Sequence, residues 1–345
     1  MLTLPYDSLP VDPIARSEKL EGYFSDHLVS CELVNRTWKL FLSWPDDISY
    51  YVDPNLLAGL RWWNQNAKAE DIPVAVSRIE KHQISLNDSW SLFSWSHWLR
   101  MKASNSQMPN ELILIHVDDH DDLMSPRLAL RDGVWVDIIT QRGLDLTEPT
   151  TISDAIISGA IGIGSFILPL IHQVPKVDVR HLISPNSDQD YSYSRRKITN
   201  IEISWEDDSL LALGEKRMKT HLRNSREQLL IGSQTHEYKK YKVSDDPKVC
   251  FEGVPNDVPV LLHIDMDFFN NRFNRDSNWQ TNNKRHDPPL KDILLSIDKL
   301  FDEFVSFNLV NRVEDVTIAL SPGFFPAELW EPTVNKISSY IDKYF

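Results

Sequence analysis

The run Glu111–Val117, ELILIHV, is apolar at nearly every position and passes straight into five polar residues, DDHDD. A short run without polar alternation suits a strand buried on both faces, as in parallel sheets covered by helices. VLLHI at 260–264 has the same character. Expected strands are Leu33–Trp44, Val74–His82, Glu111–Val117, Val177–Ile183, Ile198–Trp205, Val258–Asp265 and Val316–Leu320. Amphipathic stretches between them predict helices over Asn55–Ala67, Asp88–Lys102, Ser153–His172, Ser209–Leu230, Pro289–Phe307 and Ala327–Tyr344. Repeated strand–helix order predicts an α/β fold of three layers, αβα, around a mostly parallel sheet. Ligands of such sheets bind beyond the carboxyl ends of the strands.

The 345 residues are expected to form one domain. Residues 1–70 read as an N-terminal extension, and the polar stretch 185–256 reads as an insertion or lid. Hydrophobic residues are 41% and charged residues 25% of the chain, so a disordered or fibrous protein is not expected. The eleven tryptophans would mostly be core, though such an excess also suits a broad groove for a flexible ligand. A formal net charge of −14 repels nucleic acid and favours cationic substrates or metal ions. Cys31 and Cys250 are far apart, which excludes a thiolate zinc site and gives no disulfide framework. With neither a signal-like N-terminus nor a run long enough to span a bilayer, a cytoplasmic protein without a membrane partner is expected.

Chemistry concentrates at two strand ends. In extended backbone, Asp118, His120 and Asp122 would share one side, and Asp119 and Asp121 the other. So much negative charge at the end of an apolar strand is costly without a cation. Two carboxylates and an imidazole form an oxygen/nitrogen set suited to manganese, iron, zinc or magnesium. The ordinary alternative is a solvated acidic loop. The second run, VPVLLHIDMDFFNNRF, again ends a strand in alternate carboxylates, Asp265 and Asp267, with His263 one step back and deeper. Two parallel strands ending this way could hold a pair of metals with shared carboxylates.

These motifs resemble the arginase/deacetylase superfamily, whose members carry Asp-Ala-His-x-Asp and, much later, Ser-x-Asp-x-Asp. Asp119 stands for the usual Ala and His263 for the usual Ser. A closer resemblance is to the branch that includes the peptide arginases of ribosomal-peptide (RiPP) maturation. It rests on VAVSRIEKHQISLNDSW, IHVDDHDDL, IGSFILPLIHQ, HIDMDFF and TIALSPGFFP, in that order, from about residue 73 to 327. The resemblance implies an arginase-like fold and two Mn2+ per chain, although an oxygen-rich site also accepts iron. By resemblance, His82, Asp118, Asp122 and Asp265 hold one metal, and Asp118, His120, Asp265 and Asp267 the other. Asp118 and Asp265 would bridge. His82 matches the family's histidine between a strand and the next helix; His97 in SWSHW is the competitor. His27, His172, His181, His221 and His236 have no metal-ligand spacing and are expected to be structural or exposed.

The resemblance further implies hydrolysis of a guanidinium group by hydroxide held between the metals, with Asp122 as proton carrier. Urea and an ornithine side chain would result. A carboxylate must grip the guanidinium. The family's Glu has no match in KRHDPPL, which leaves Asp287, with Glu328 and Glu331 as alternatives. Residues that recognise free arginine's own amine and carboxylate have no match either, as expected for arginine within a precursor peptide. An agmatinase-like ureohydrolase or an amide deacetylase remains open, as does a non-catalytic peptide binder.

Overall fold

The computed structural model describes residues 2–24, 28–43, 48–131, 133–185, 187, 198–207, 216–223, 239–281 and 286–345. Three strands, β1 (Leu2–Pro5), β2 (Leu28–Val34) and β3 (Thr37–Ser43), form a small antiparallel sheet in the order β1-β3-β2. The expected strand Leu33–Trp44 is therefore a hairpin. Its turn falls at Asn35 and Arg36, whose φ angles are 50° and 61°.

The large sheet has 12 strands. They are β4 (Val76–Ile79), β5 (His82–Ser85), β6 (Glu111–Val117), β7 (Leu128–Arg131), β8 (Val134–Asp137), β9 (Gly143–Leu144), β10 (Lys176–Leu182), β11 (Ile198–Asp207), β12 (Lys216–Arg223), β13 (Lys239–Ser244), β14 (Val260–Asp265) and β15 (Val313–Ala319). Their order is β4-β5-β15-β14-β6-β10-β13-β11-β12-β7-β8-β9. From β5 to β13 the neighbours run parallel; β4 and the strands from β11 to β9 are antiparallel to theirs.

Residues of β6 alternate between two cores. Leu112 and Leu114 pack with Trp95, Leu99, Ile152 and Phe166, from the helices Trp90–Ser104 and Pro149–Ser158 and the start of Ile167–Gln173. Ile113, Ile115 and Val117 pack with Ile297, Phe301 and Ile337, from the helices Leu290–Ser306 and Trp330–Tyr344. The chain is thus a mixed α/β protein with helices on both faces of a large, mostly parallel central sheet, compatible with three layers. No helix among the described residues is long and apolar enough to cross a membrane.

Several expectations change. The stretch Val74–His82 is the β4–β5 hairpin, which reverses at Glu80 and Lys81, so His82 opens a strand rather than closing one. The single helix Ser153–His172 is two helices, because Gly159 ends the first in a left-handed conformation at φ 82°. Within the expected helix Ser209–Leu230, residues 216–223 are strand β12, and 209–215 and 224–230 lie outside the described residues. Strand β13 falls inside the polar stretch 185–256 yet pairs along its length with β10. Within residues 1–70, the helix Leu56–Trp63 belongs to the second core through Leu56 and Leu60.

Candidate metal centre

Parallel pairing sets the carboxyl ends of β5, β15, β14 and β6 side by side: Ser85 faces Ala319, and Ala319 faces Asp265. Asp118 follows directly on β6, and its N–H still donates to Leu182 O at 3.1 Å. Asp118 Oδ1 accepts from the His120 N–H at 2.7 Å, and Asp265 Oδ1 accepts from the Asp267 N–H at 2.9 Å. Each motif therefore bends sharply at its first aspartate. Asp122 completes its loop at φ 51°, a left-handed conformation uncommon outside glycine. The structure brings Asp118, His120 and Asp122 together, though by turns rather than by strand alternation.

Four distances show how Asp118 is shared. His120 Nδ1 lies 2.9 Å from Asp267 Oδ2 and 3.7 Å from Asp118 Oδ1. On the other side, Asp118 Oδ2 and Asp122 Oδ2 each lie 3.6 Å from His116 Nε2. Asp118 thus presents one oxygen toward His120 and Asp267 and the other toward Asp122. Asp265 Oδ2 is held by the Ser321 hydroxyl, and Ser321 has φ 43°. Two left-handed non-glycine residues at one buried site suggest backbone strain held for a purpose.

Asp88 joins this group from the loop after β5. Its carboxylate accepts from the main-chain N–H groups of Ser89 and Gly164. Burial, and beyond it the charge of Asp267, lift the Asp88 carboxyl to about 7. The same buried network holds the Asp118, Asp122 and Asp265 carboxyls well above the usual range, chiefly through burial and then through each other's charge. Burial disfavours the His120 cation, but the Asp267 carboxylate outweighs it and raises His120 to about 10. Asp88 Oδ1, Asp118 Oδ2 and Asp122 Oδ2 are buried with no hydrogen-bond partner among the described residues. A cluster of buried carboxylate oxygens without donors is costly unless a cation offsets it, so these residues could hold a metal ion.

Beneath the carboxylates, His263, His116 and His181 occupy adjacent positions on β14, β6 and β10. Their partners fix the tautomers. His116 Nε2 and His181 Nε2 face carbonyl oxygens, His120 O and Asp118 O, each at 3.0 Å, so both nitrogens carry hydrogen. Burial lowers all three rings, His181 to about 4 and His263 to about 3, so each is neutral with one proton. His116 Nδ1 must then accept from His263 Nδ1–H at 2.9 Å, and His181 Nδ1 accepts from the Tyr241 hydroxyl at 2.5 Å. The layer supports the ligand loop by gripping its carbonyls. His116, His181 and His263 were not assigned a role from sequence spacing because the register of three strands brings them together.

His82 is not brought to this centre. It lies at the opposite end of β5, buried, with Nε2 3.0 Å from the Ser338 hydroxyl. His97 is exposed on its helix and packs edge-on against Phe93 at 4.7 Å. Asp287 is engaged by the protein's own Arg272, whose Nε donates to Asp287 Oδ1 at 2.8 Å and whose other arm binds Glu328. Asn270 also donates to Asp287, at 3.2 Å. Asp119 Oδ2 accepts from Asn271 Nδ2 at 2.8 Å, which ties down the loop after β14, while the Asp119 N–H donates to Asp267 Oδ1 at 3.2 Å. No protein-family model matches the chain, and no curated protein gives a significant sequence match.

Proposed function

We propose that this protein is a binuclear metal hydrolase that acts on the guanidinium group of arginine side chains in a precursor peptide. The observation that carries the metal centre is that Asp118, His120 and Asp267 at parallel strand ends lie close enough to share an ion. Asp122 and Asp265 are in the same buried carboxylate network, and the Asp118 and Asp122 Oδ2 atoms lack donors among the described residues. The donor set fits divalent cations of the manganese type. Such a pair supplies Lewis acidity that makes water nucleophilic at neutral pH and polarises the group attacked. Asp118 and Asp265 would be shared between the two ions, and His120 with Asp267 would complete one side.

Asp122 is suited to proton transfer. By the resemblance Asp122 would carry the proton to a leaving amine, and its buried Oδ2, which has no donor among the described residues, is open to receive one. His120 is the most open member of the cluster, with its side chain 27% exposed, and its ring meets Phe324 edge-on at 5.2 Å. Substrate would therefore arrive on the His120 and Phe324 side.

The guanidine substrate rests on the resemblance to peptide arginases and on the excess of negative charge. One observation favours a second reading, an amide hydrolase or other ureohydrolase on the same fold. Asp287 and Glu328, two carboxylates that could have gripped a substrate guanidinium, are both paired with Arg272. The deciding experiment incubates manganese-loaded protein with arginine-containing peptides and with free arginine. Loss of CH2N2 from the peptide with release of urea is the expected result. Efficient turnover of free arginine alone would overturn the peptide reading, and cleavage of acetyl-lysine peptides in place of arginine would favour the second.

A further inference from the structure

We infer that the centre is two chemically unequal half-sites, and that Asp88 makes one of them an all-carboxylate site selective for hard divalent cations. This inference rests on the metal-centre reading above but not on its substrate. Gly164 places Asp88 beside Asp122. The Gly164 N–H donates to the Asp88 carboxylate, and a Cβ on Gly164 would lie 3.7 Å from Asp122 Oδ1. Asp122 Oδ2 in turn faces Asp118 Oδ2 across His116 Nε2. Asp265 adjoins the same set, because Ser321, which holds its Oδ2, donates its N–H to Leu86 O at 3.0 Å, two residues before Asp88. Asp88, Asp118, Asp122 and Asp265 therefore line one half-site.

Nitrogen is excluded from that half. His116 Nε2 is near enough to Asp118 and Asp122 to be considered a ligand, and His263 Nδ1 lies 3.9 Å from Asp118 Oδ2. His116 Nε2 lies 3.0 Å from the His120 carbonyl, which can only accept, so that nitrogen donates there and offers no lone pair to an ion. His263 Nδ1 is taken up by its 2.9 Å hydrogen bond with His116 Nδ1. His120 belongs to the other half, against Asp267. One cation would thus see carboxylate oxygen alone, and the other would see an imidazole as well.

The second observation beyond the acidic cluster is the set of orphaned oxygens. Asp88 Oδ1, Asp118 Oδ2 and Asp122 Oδ2 lie on residues 7%, 1% and 5% exposed, all without a donor among the described residues. An oxygen-only cage suits manganese or magnesium, whereas imidazole adds affinity for zinc. Zinc exceeds manganese at most sites, but its margin should be smaller where no nitrogen is present.

The test loads metal-free protein with Mn2+ and counts bound metal by elemental analysis and calorimetry, then titrates Zn2+ against it. The wild type should hold two Mn2+, one displaced readily and the other only at about tenfold or more higher zinc, an affinity gap of ~1.4 kcal/mol. Asp88→His should bring the two displacements together, and Asp88→Asn should lower manganese stoichiometry toward one while circular dichroism stays native. Two Mn2+ retained with unchanged affinity in Asp88→Asn would sink the inference and leave the metal centre standing. So would simultaneous displacement of both ions from the wild type. A wild type that binds no Mn2+ defeats the metal centre and this inference together. Urea release from arginine peptides plays no part, so failure of the substrate reading shows separately.

Discussion

At the scale of single residues, Asp88 and His82 are three residues either side of Ser85, one in the loop after β5 and the other at the start of that strand. The motif DDHDD was legible because its carboxylates are crowded and its strand is apolar. Asp88 was not, because an isolated Asp before a helix reads as a cap. His82 was misplaced because the Glu80–Lys81 reversal carries no glycine or proline signal; Glu80 alone takes φ 22°. A structural His82 has a measurable signature. His82→Ala should leave metal content unchanged and cost about 1–3 kcal/mol in urea unfolding, through the lost packing and the orphaned Ser338 partner. Loss of a metal ion from that variant would return His82 to the centre.

At the scale of elements, the long apolar strands were read well, since β6 was expected over the range it occupies and β14 within a few residues. The parallel strand β13, KKYKVS, was missed because five of its six residues are lysine, serine or tyrosine, and polar edges hide strand character. The helix break at 159–166 was hidden for a different reason. Glycines are tolerated in helical patterns, so the Gly159 helix end was hidden, and Gly164 is explained by the close approach of this segment to Asp122. Gly164 has φ 74°, and an added Cβ would meet Met124 Sδ at 3.1 Å. Gly164→Ala should therefore cost about 1–2 kcal/mol and weaken metal binding, since the Gly164 N–H holds Asp88. Denaturant titration with parallel metal analysis checks both effects; wild-type values for each would show that the loop adapts freely.

For the whole molecule, a net charge of −14 is concentrated in part where burial makes it most costly. In metal-free protein the Asp88 carboxyl is raised from 3.8 to about 7, and its neighbours are raised too. A raised folded-state value favours the protonated fold. The stability it contributes is fully present below the unfolded value and is lost as pH rises through the folded one. Chelated protein should thus melt at a lower temperature at about pH 8 than at about pH 5. Bound Mn2+ competes with those same protons, so the gap in Tm between loaded and chelated protein should widen over that rise. Thermal melts in parallel buffers test this. A gap that narrows with rising pH would mean that the carboxylates are not the ligands.

The strand order also constrains the protein's synthesis. Strands β5 and β6 follow one another in the chain, yet β15 and β14, made much later, lie between them. A ribosome that has finished β6 has released two sheet edges with nothing to join them, and the Asp88 and Asp118 loops have no common wall. Only when Asp265, Asp267 and Ser321 have emerged can those edges be bridged. On the proposed metal centre, ion capture would follow synthesis and lock the last-made strands in place, and a message broken anywhere before them would yield a chain with adhesive edges and no centre.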